Sequence, residues 1–571
     1  VNFDIRTIPF SRYGSFLVFS NISGRNGIKD GLYLRNIRGG DEDLGLVFLI
    51  ELTYLGKTIP YEEIATPDLL KLKTNHGMVE ICIPDYDVIR IRSKNIGLRL
   101  TLNMKKYDNI IPLKNGKWEI TSYSQEIKFM LSKLRGNIHV DAPWEMIGNS
   151  HVVINLEAND DNEYSEIALE SYKVVWEEKK YDINFEDCRK KVWEEYNNWL
   201  ENTLPVPKEF EPAKELASYI TWSCVVKPEG NLTRPAMYMS NNWMTNIWSW
   251  DNCFNAMALA KKNPVLALEQ LMIFIDNQHS SGVFPDFIND KYLSWSCTKP
   301  PIHGWAFKWM MERNEYFKQH HILKQIYKPL SKWTNYWLKY RDDDNDGVPQ
   351  YNHGNDSGWD NSTIFDKGTP VESPDLCAFL VLQMDLLAEI ADKFNKTEET
   401  KGWRQLSDIT LEKMIKNFWE DDKFIATFSG SPDYVKDSDS LILYMPIILG
   451  KKLPEKIRLK LIEGLKQKDR FLTGYGFATE SISSRYYKSD GYWRGPIWAP
   501  STMLLVDGLM KAEEKEFAKE VAQRFCKMAL KSGMAENFNA LTGEALCDPA
   551  FTWTSSVFLI LGNEYLDMEI A

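Results

Sequence analysis

From Phe10 to about Val175 the chain runs in short apolar or alternating stretches, Ser15–Ser20, Leu46–Leu52, Val79–Pro84, Gly97–Met104 and Val152–Leu156, separated by polar, Gly-containing turns such as Lys114–Lys117. Such stretches, enriched in β-branched and aromatic residues, predict strands, and so many in succession predict a β-sandwich. The pattern changes near Phe185. In Phe185–Leu204 the residues Val192, Tyr196 and Leu200 recur at helical spacing among charges, and the run stops before Pro205, which predicts a linking helix. Beyond Glu211 the periodicity is helical almost throughout, with helices predicted near 212–226, 249–260, 264–278, 302–318, 321–340, 374–394, 404–419, 438–449, 455–467, 496–511, 513–532 and 550–563. A solenoid would need a repeat of fixed period, and none is present. These helices, joined by long loops rich in Trp and Gly, predict an even-numbered helical toroid. The expected organisation is a β-sandwich over 1–183, a helical linker over 184–210 and a helical barrel over 211–571.

Composition narrows the function classes. The 571 residues exceed what one core usually supports, in keeping with two or more domains. No stretch approaches the roughly 18 uninterrupted apolar residues of a membrane span, so no membrane partner is expected. The net charge of -12, from 80 acidic against 68 basic residues and without a Lys/Arg run, argues against nucleic acid. Val1–Phe10 lacks a basic segment followed by an apolar one, and the eight cysteines are dispersed with no CxxC. Free thiols and a cytoplasmic location are the expectation. Aromatic residues make up 13% of the chain; their flat faces fill cores and also stack on pyranose rings.

Candidate chemistry falls between the predicted helices, where loops on a rigid scaffold carry function. Asn355–Thr363 sets Asp356 and Asp360 around Gly358 and Trp359. A carboxyl beside an indole can be shielded from water and so hold a proton near neutral pH for a leaving oxygen. Asp360, next to Trp359, is the better acid candidate, although the same residue types also build Asx turns. Glu536 lies in the polar loop Gly533–Gly543, beside Asn537 and Asn539 and with no Lys or Arg nearer than Lys531. It suits a carboxylate kept ionised to deprotonate water; a solvated loop glutamate would read the same way.

Four other segments add to the list. Asn241–Asn242–Trp243 followed by Trp248–Ser249–Trp250–Asp251 suits a sugar pocket, while Asp251 equally suits the first turn of a helix. Arg494 stands between Trp493 and Trp498, where its fork could hold a carboxylate or a sugar hydroxyl, or simply stack on an indole. Phe551–Trp553 contributes a further tryptophan. Asp342, Asp344 and Asp346 before Gly347 look like the first half of a calcium loop, but the glutamate expected at its twelfth position is missing, and an acidic turn is the competing reading. No other cofactor is expected. The absence of GxxxxGK[ST], GxSxG and HExxH removes support for nucleotide hydrolysis, serine esterases and zinc peptidases.

Taken in order, Trp248–Asp251, Lys299–Pro300–Pro301–Ile302–His303, Asp356–Ser362, Trp493–Trp498, Ala535–Gly543 and Phe551–Trp553 resemble glycoside hydrolase family 63 and, more distantly, the family 37 trehalases, over roughly residues 211–565. The resemblance implies an (α/α)6 barrel after the β-sandwich and inverting hydrolysis of an α-linked sugar. It makes Asp360 the general acid and Glu536 the general base, with Phe538 in place of the family's Tyr. It implies Trp250 and Asp251 as a sugar-binding pair and Trp493 and Arg494 as pocket walls. Lys299 stands where Gln is frequent, and Trp243, Trp248, His303, Trp359, Trp498 and Trp553 complete the expected substrate-binding set. The expected substrate is a small α-glucoside. A mannosyl- or glucosylglycerate or trehalose is the alternative, and a phosphorylase or a non-catalytic carbohydrate-binding protein is the rival.

Overall fold

The structure, a computed structural model, describes residues 1–23, 27–159 and 163–568; the predicted end of the barrel unit at 571 lies outside them. The N-terminal part is two packed antiparallel sheets. One has the order Leu17–Ile22, Gly31–Asn36, Leu46–Tyr54, Gly97–Leu102, Val153–Leu156, Ile138–Asp141, with Lys57–Ile59 also paired to the third strand. The other runs Asn109–Pro112, Trp118–Ser122, Ile127–Arg135, Tyr164–Tyr172, Val88–Lys94, Met78–Asp85, Leu69–Lys73, Glu62–Thr66. Period-two alternation places one face of each strand inside. Phe48 and Ile50, paired with Leu102 and Leu100, meet Ile81, Ile91, Ile120, Phe129 and Leu169 in a core separate from that of the helices.

Phe185–Glu201 is the linking helix. Asn184 caps it by accepting from Asp187 N at 2.8 Å, and Phe185, Cys188, Val192 and Tyr196 are buried against Met78–Asp85 and the first barrel helix, Glu211–Ser223. Six helices then close an inner ring: Asp251–Leu259, His303–Met311, Pro374–Lys393, the 3-10 helix Leu441–Lys452, Ala499–Lys511 and Thr552–Glu564, each touching the next and the last touching the first. They are apolar nearly all round, as helices buried on every side must be. Glu211–Ser223, Pro264–Asp276, His320–Tyr340, Thr397–Phe418, Glu455–Lys466 and Lys515–Ser532 pack outside them. The result is an (α/α)6 barrel behind a β-sandwich.

Sandwich and barrel share apolar packing, since Phe16, Val18, Ile37, Leu69 and Cys82 join the helical core. The turn after strand Gly31–Asn36 also seats on the barrel rim. Gly39 N donates to Asp290 Oδ1 at 2.7 Å, and Asn246 Nδ2 donates to Asp41 Oδ1 at 2.8 Å. Gly40, at φ 79°, has no room for a side chain: a Cβ would lie 2.4 Å from Asn246 Oδ1.

Candidate active site

The Asp360 loop is built on a neutralised carboxylate. Asp356, 1% exposed, accepts from Arg341 Nη1 at 2.7 Å, Thr298 N at 2.9 Å, Asn352 N at 3.0 Å and His353 N at 3.1 Å. It is spent on the loop's shape. Gly358, left-handed at φ 74°, lets the chain lie on Trp250, whose ring would be 2.4 Å from a Cβ there. Asp360 then emerges partly exposed, and its neighbour Asn361 ties the loop to the next rim segment. Asn361 Oδ1 accepts from Trp493 N at 2.9 Å, its Nδ2 donates to Gly491 O at 3.0 Å, and its carbonyl accepts from Arg494 Nε at 2.7 Å. Arg494 also forms an ion pair with Asp366. Its fork therefore serves the acid loop.

Glu536 follows Gly533, which ends helix Lys515–Ser532 at φ 80°. Asn537–Phe538 pairs with Ile497–Trp498 and with Ala545–Leu546, which brings Tyr492–Trp498 alongside the glutamate. The reading of a solvated loop glutamate is corrected here. Glu536 is 4% exposed, and its nearest charges are negative. Burial first, then the charges of Asp548 and Asp360, push it up to about 7, while hydrogen bonds from Asp548 and Tyr492 oppose the shift. Tyr492 Oη donates to Oε1 at 3.2 Å and Asp548 N to Oε2 at 3.3 Å. Asp548, itself raised to about 6 by burial, accepts from Asn242 Nδ2 at 2.9 Å.

A second charged group lies within reach of Asp360. Lys299 Nζ sits 2.9 Å from Asp286 Oδ1 and donates to Asn355 O at 2.8 Å. Burial works against its ammonium, but Asp286, Asp360 and Asp251 outweigh it and hold the pKa above the usual lysine value. Asp251 is pushed well above the carboxylate range by burial, with Asp286 and Asp360 adding and Lys299 opposing. The Asp360 charge thus acts on Glu536 and Tyr492 as well as on Asp251, Asp286 and Lys299.

Five of the expected tryptophans form one cluster. Trp493 stacks on Trp498 at 4.0 Å and 6°, Trp359 leans on Trp493 at 4.8 Å, and Trp250 and Trp553 join at 5.8 Å. All five are buried, so they build the floor of the rim. Trp248, half-buried against Phe287 at 5.4 Å, and the exposed Trp243 keep open surface. His303 is taken up by packing: it sits 5.0 Å from Phe284, its Nδ1 accepts from Trp333 Nε1 at 3.1 Å, and burial lowers it to about 3. Sequence reasoning missed Tyr492, Asp286 and Asp548, and it marked Asn242 only as part of the Asn241–Trp243 segment. Only Tyr492 had a signal, its place at the head of the Tyr492–Trp498 aromatic run.

The acidic turn forms its own cluster. One ligand oxygen from each of Asp342, Asp344 and Asp346 lies within 4.8 Å of the others. Glu372 faces Gln350 across the Gln350–Tyr351/Val371–Glu372 ladder, within electrostatic reach of all three aspartates. Glu372 is 3% exposed, and its Oε1 has no hydrogen-bond partner among the described residues, nor has Asp342 Oδ1.

A closed double ring of helices, with a partly exposed aspartate and a buried glutamate coupled across a tryptophan-floored rim, defines a glycoside hydrolase of the (α/α)6 class. Residues 244–554 match the model of the mannosylglycerate hydrolase MGH1-like glycoside hydrolase domain, and the chain belongs to that family. It is 21% identical over 418 residues to the mannosylglycerate hydrolase of Rubrobacter radiotolerans, covering 58% of this chain and 92% of the relative. It is 24% identical over 407 residues to the glucosylglycerate hydrolase of Mycolicibacterium hassiacum, covering 55% and 91%. In fold it is similar to a bacterial glucoamylase complexed with acarbose, with a TM-score of 0.59 at 14% identity over 98% of this chain and 94% of that one. The GH63 mannosylglycerate hydrolase from Thermus thermophilus in complex with glucose gives a TM-score of 0.52 at 15% identity over 60% and 98%. The glucoamylase likeness spans both sandwich and barrel.

Proposed function

We propose that this enzyme hydrolyses the α-glycosidic bond of a small glycoside by single displacement, with Asp360 as general acid and Glu536 as general base, and that its substrate belongs with the α-mannosyl- and α-glucosylglycerates. The observation that carries the mechanism is Glu536: a buried carboxylate held by Tyr492 and Asp548 and coupled electrostatically to Asp360. Asp360 protonates the leaving oxygen while Glu536 takes a proton from a water attacking the anomeric carbon from the opposite face. Room for that water requires the two carboxyls to stand about 6.5–9.5 Å apart. The substrate class is supported by the printed activities of the relatives, which favour glycosylglycerates over the general α-glucoside expected from the sequence. The test is a screen of α-mannosylglycerate, α-glucosylglycerate, trehalose and α-linked glucobioses, with and without phosphate, reading the first-formed anomer by proton NMR. A β-anomer released from a glycosylglycerate independently of phosphate is expected. An α-anomer ends the assignment of the pair, and turnover of disaccharides alone ends the substrate class.

We also propose that Asp342, Asp344, Asp346 and Glu372 bind a divalent cation of calcium's chemistry. Supporting this are three carboxylates with ligand oxygens close together, a fourth, Glu372, within electrostatic reach of them, and two buried oxygens without partners among the described residues. Millimolar calcium should raise the melting temperature and Glu372→Gln should abolish the rise; the same rise in the variant ends the proposal. Among the described residues no helix is long and apolar enough to cross a membrane. All eight cysteines are free thiols, which supports a reducing, cytoplasmic setting, to be checked by fractionating the source cells.

A further inference from the structure

Among the described contacts, one buried cation links the β-sandwich to the proposed base. Arg35, on strand Gly31–Asn36, is 2% exposed, and its guanidinium donates hydrogen bonds on both sides of the domain boundary. Nε donates to Leu44 O at 2.7 Å and Nη1 to Ser20 Oγ at 3.0 Å, both within the sandwich. Nη1 also donates to Asn241 O at 2.9 Å and Nη2 to Asn242 O at 2.5 Å, both in the barrel's rim. With its carbonyl gripped in this way, Asn242 points its side-chain amide at Asp548 Oδ1, 2.9 Å away, and at Thr7 O, also 2.9 Å away. Asp548 closes on Glu536 twice: its N–H donates to Glu536 Oε2 at 3.3 Å, and its carbonyl accepts from Glu536 N at 2.7 Å. The hydrogen bonds are continuous from the sandwich to the carboxylate.

We propose that Arg35 is a positioning residue for Glu536: by fixing the Asn241 and Asn242 carbonyls it aims the Asn242 amide at Asp548, and Asp548 holds the glutamate in its working orientation. The sandwich is then part of the catalytic apparatus. This inference rests on Glu536 acting as the base. If adhesion between the domains were the only need, apolar residues would serve at lower desolvation cost than a buried guanidinium. Arg38 provides the comparison within the same turn. It crosses to the barrel by pairing with Glu229, Nε to Oε1 at 2.8 Å, and among the described bonds no chain runs from it to Glu536.

The charges around this path fix the direction of its pH effect. Glu536 faces Asp548, Asp360, Tyr492 and Cys547; Asp548 faces Arg35 and Cys224; Arg35 faces Asp548 and Asp43. Removing the cation, and loosening the Asp548 N–H that favours the ionised glutamate, both let the carboxylate pair keep its protons to higher pH.

The experiment compares wild type, Arg35→Met, Arg35→Lys and Arg38→Met on the best α-glycoside of the screen, and measures amide hydrogen exchange in peptides spanning 534–550. In Arg35→Met, kcat is expected to fall roughly 10–100-fold, as small displacements of a reacting group do, with KM within about 3-fold and the acidic limb of kcat at higher pH. Exchange across 534–550 should quicken, and Arg35→Lys should recover part of both effects. In Arg38→Met the melting temperature should fall while kcat and exchange at 534–550 stay near wild type. Indistinguishable kcat and exchange in the Arg35→Met and Arg38→Met enzymes would overturn the proposal. A wild-type enzyme that hydrolyses no α-glycoside overturns the proposed function instead, and the exchange data still decide the role of Arg35.

Discussion

The loops that carry Asp360 and Glu536 both interrupt the barrel at its rim, but they handle charge in opposite ways. Around Asp360 the supporting carboxylates are neutralised: Asp356 is paired with Arg341 and three backbone amides, and Asp366 with Arg494. Around Glu536 negative charge is left to accumulate, with Asp548 buried beside it and Asp360 within electrostatic reach. One loop is a scaffold from which an acid projects; the other is a buried site whose charge state the protein strains to control. Their mutants should therefore fail differently.

The largest expected effect is on turnover. Asp360→Asn keeps the loop's anchors and should leave the melting temperature near wild type while lowering kcat about 10²–10⁴-fold on a substrate with a poor leaving group; near-normal rates would remove Asp360 as acid. Next comes stability on the same loop. Asp356→Leu strands the buried Arg341 and should cost about 3–5 kcal/mol in urea unfolding, so a loss below about 1 kcal/mol would contradict the anchoring role.

On the other loop, Tyr492→Phe removes a donor to the ionised form of Glu536, a bond worth about 1.5–3 kcal/mol, and kcat at neutral pH should drop roughly 10-fold. Because the lost bond favoured ionisation, the acidic limb of kcat should move upward from about 7; a shift to lower pH would rule out this arrangement. The smallest effect is also the sharpest contrast. The folded-state pKa of Glu536 is raised, so the proton it holds stabilises the fold below the unfolded value of 4.5, and that contribution disappears as pH rises through about 7. Glu536→Gln should therefore raise the melting temperature by a few degrees at pH 8 and by less at pH 5, against the loss expected for Asp356→Leu. An equal change at both pH values would mean that the glutamate is not strained.

Much of this was legible beforehand, and for identifiable reasons. The predicted strands near Leu46, Val79, Gly97 and Val152 and the predicted helices lie close to the observed elements, because alternation and 3.6-residue periodicity record which face is buried. Helix Thr397–Phe418 begins ahead of the predicted 404, because its first turn, Thr397–Lys401, is polar and carries no apolar periodicity. The electrostatic surroundings of the acidic turn could be seen only in part, since Glu372 lies near it on a strand outside the motif. His303 drew attention as a histidine near motif residues, yet its ring fills space between Phe284 and Trp333.

The sequence alone determined the sandwich followed by helices, and it nominated the pair Asp360 and Glu536, because local periodicity and motif order survive in one dimension. The tertiary structure decided what surrounds that pair. The coupling of Glu536 to Asp360 and the reach of Arg35 join residues that ring closure and domain packing bring together, while the crowding by Asp548 and the Lys299–Asp286 contact each depend on how one rim loop folds back on itself. Electrostatics depends on distance through space and on exclusion of water, and neither is written in sequence spacing.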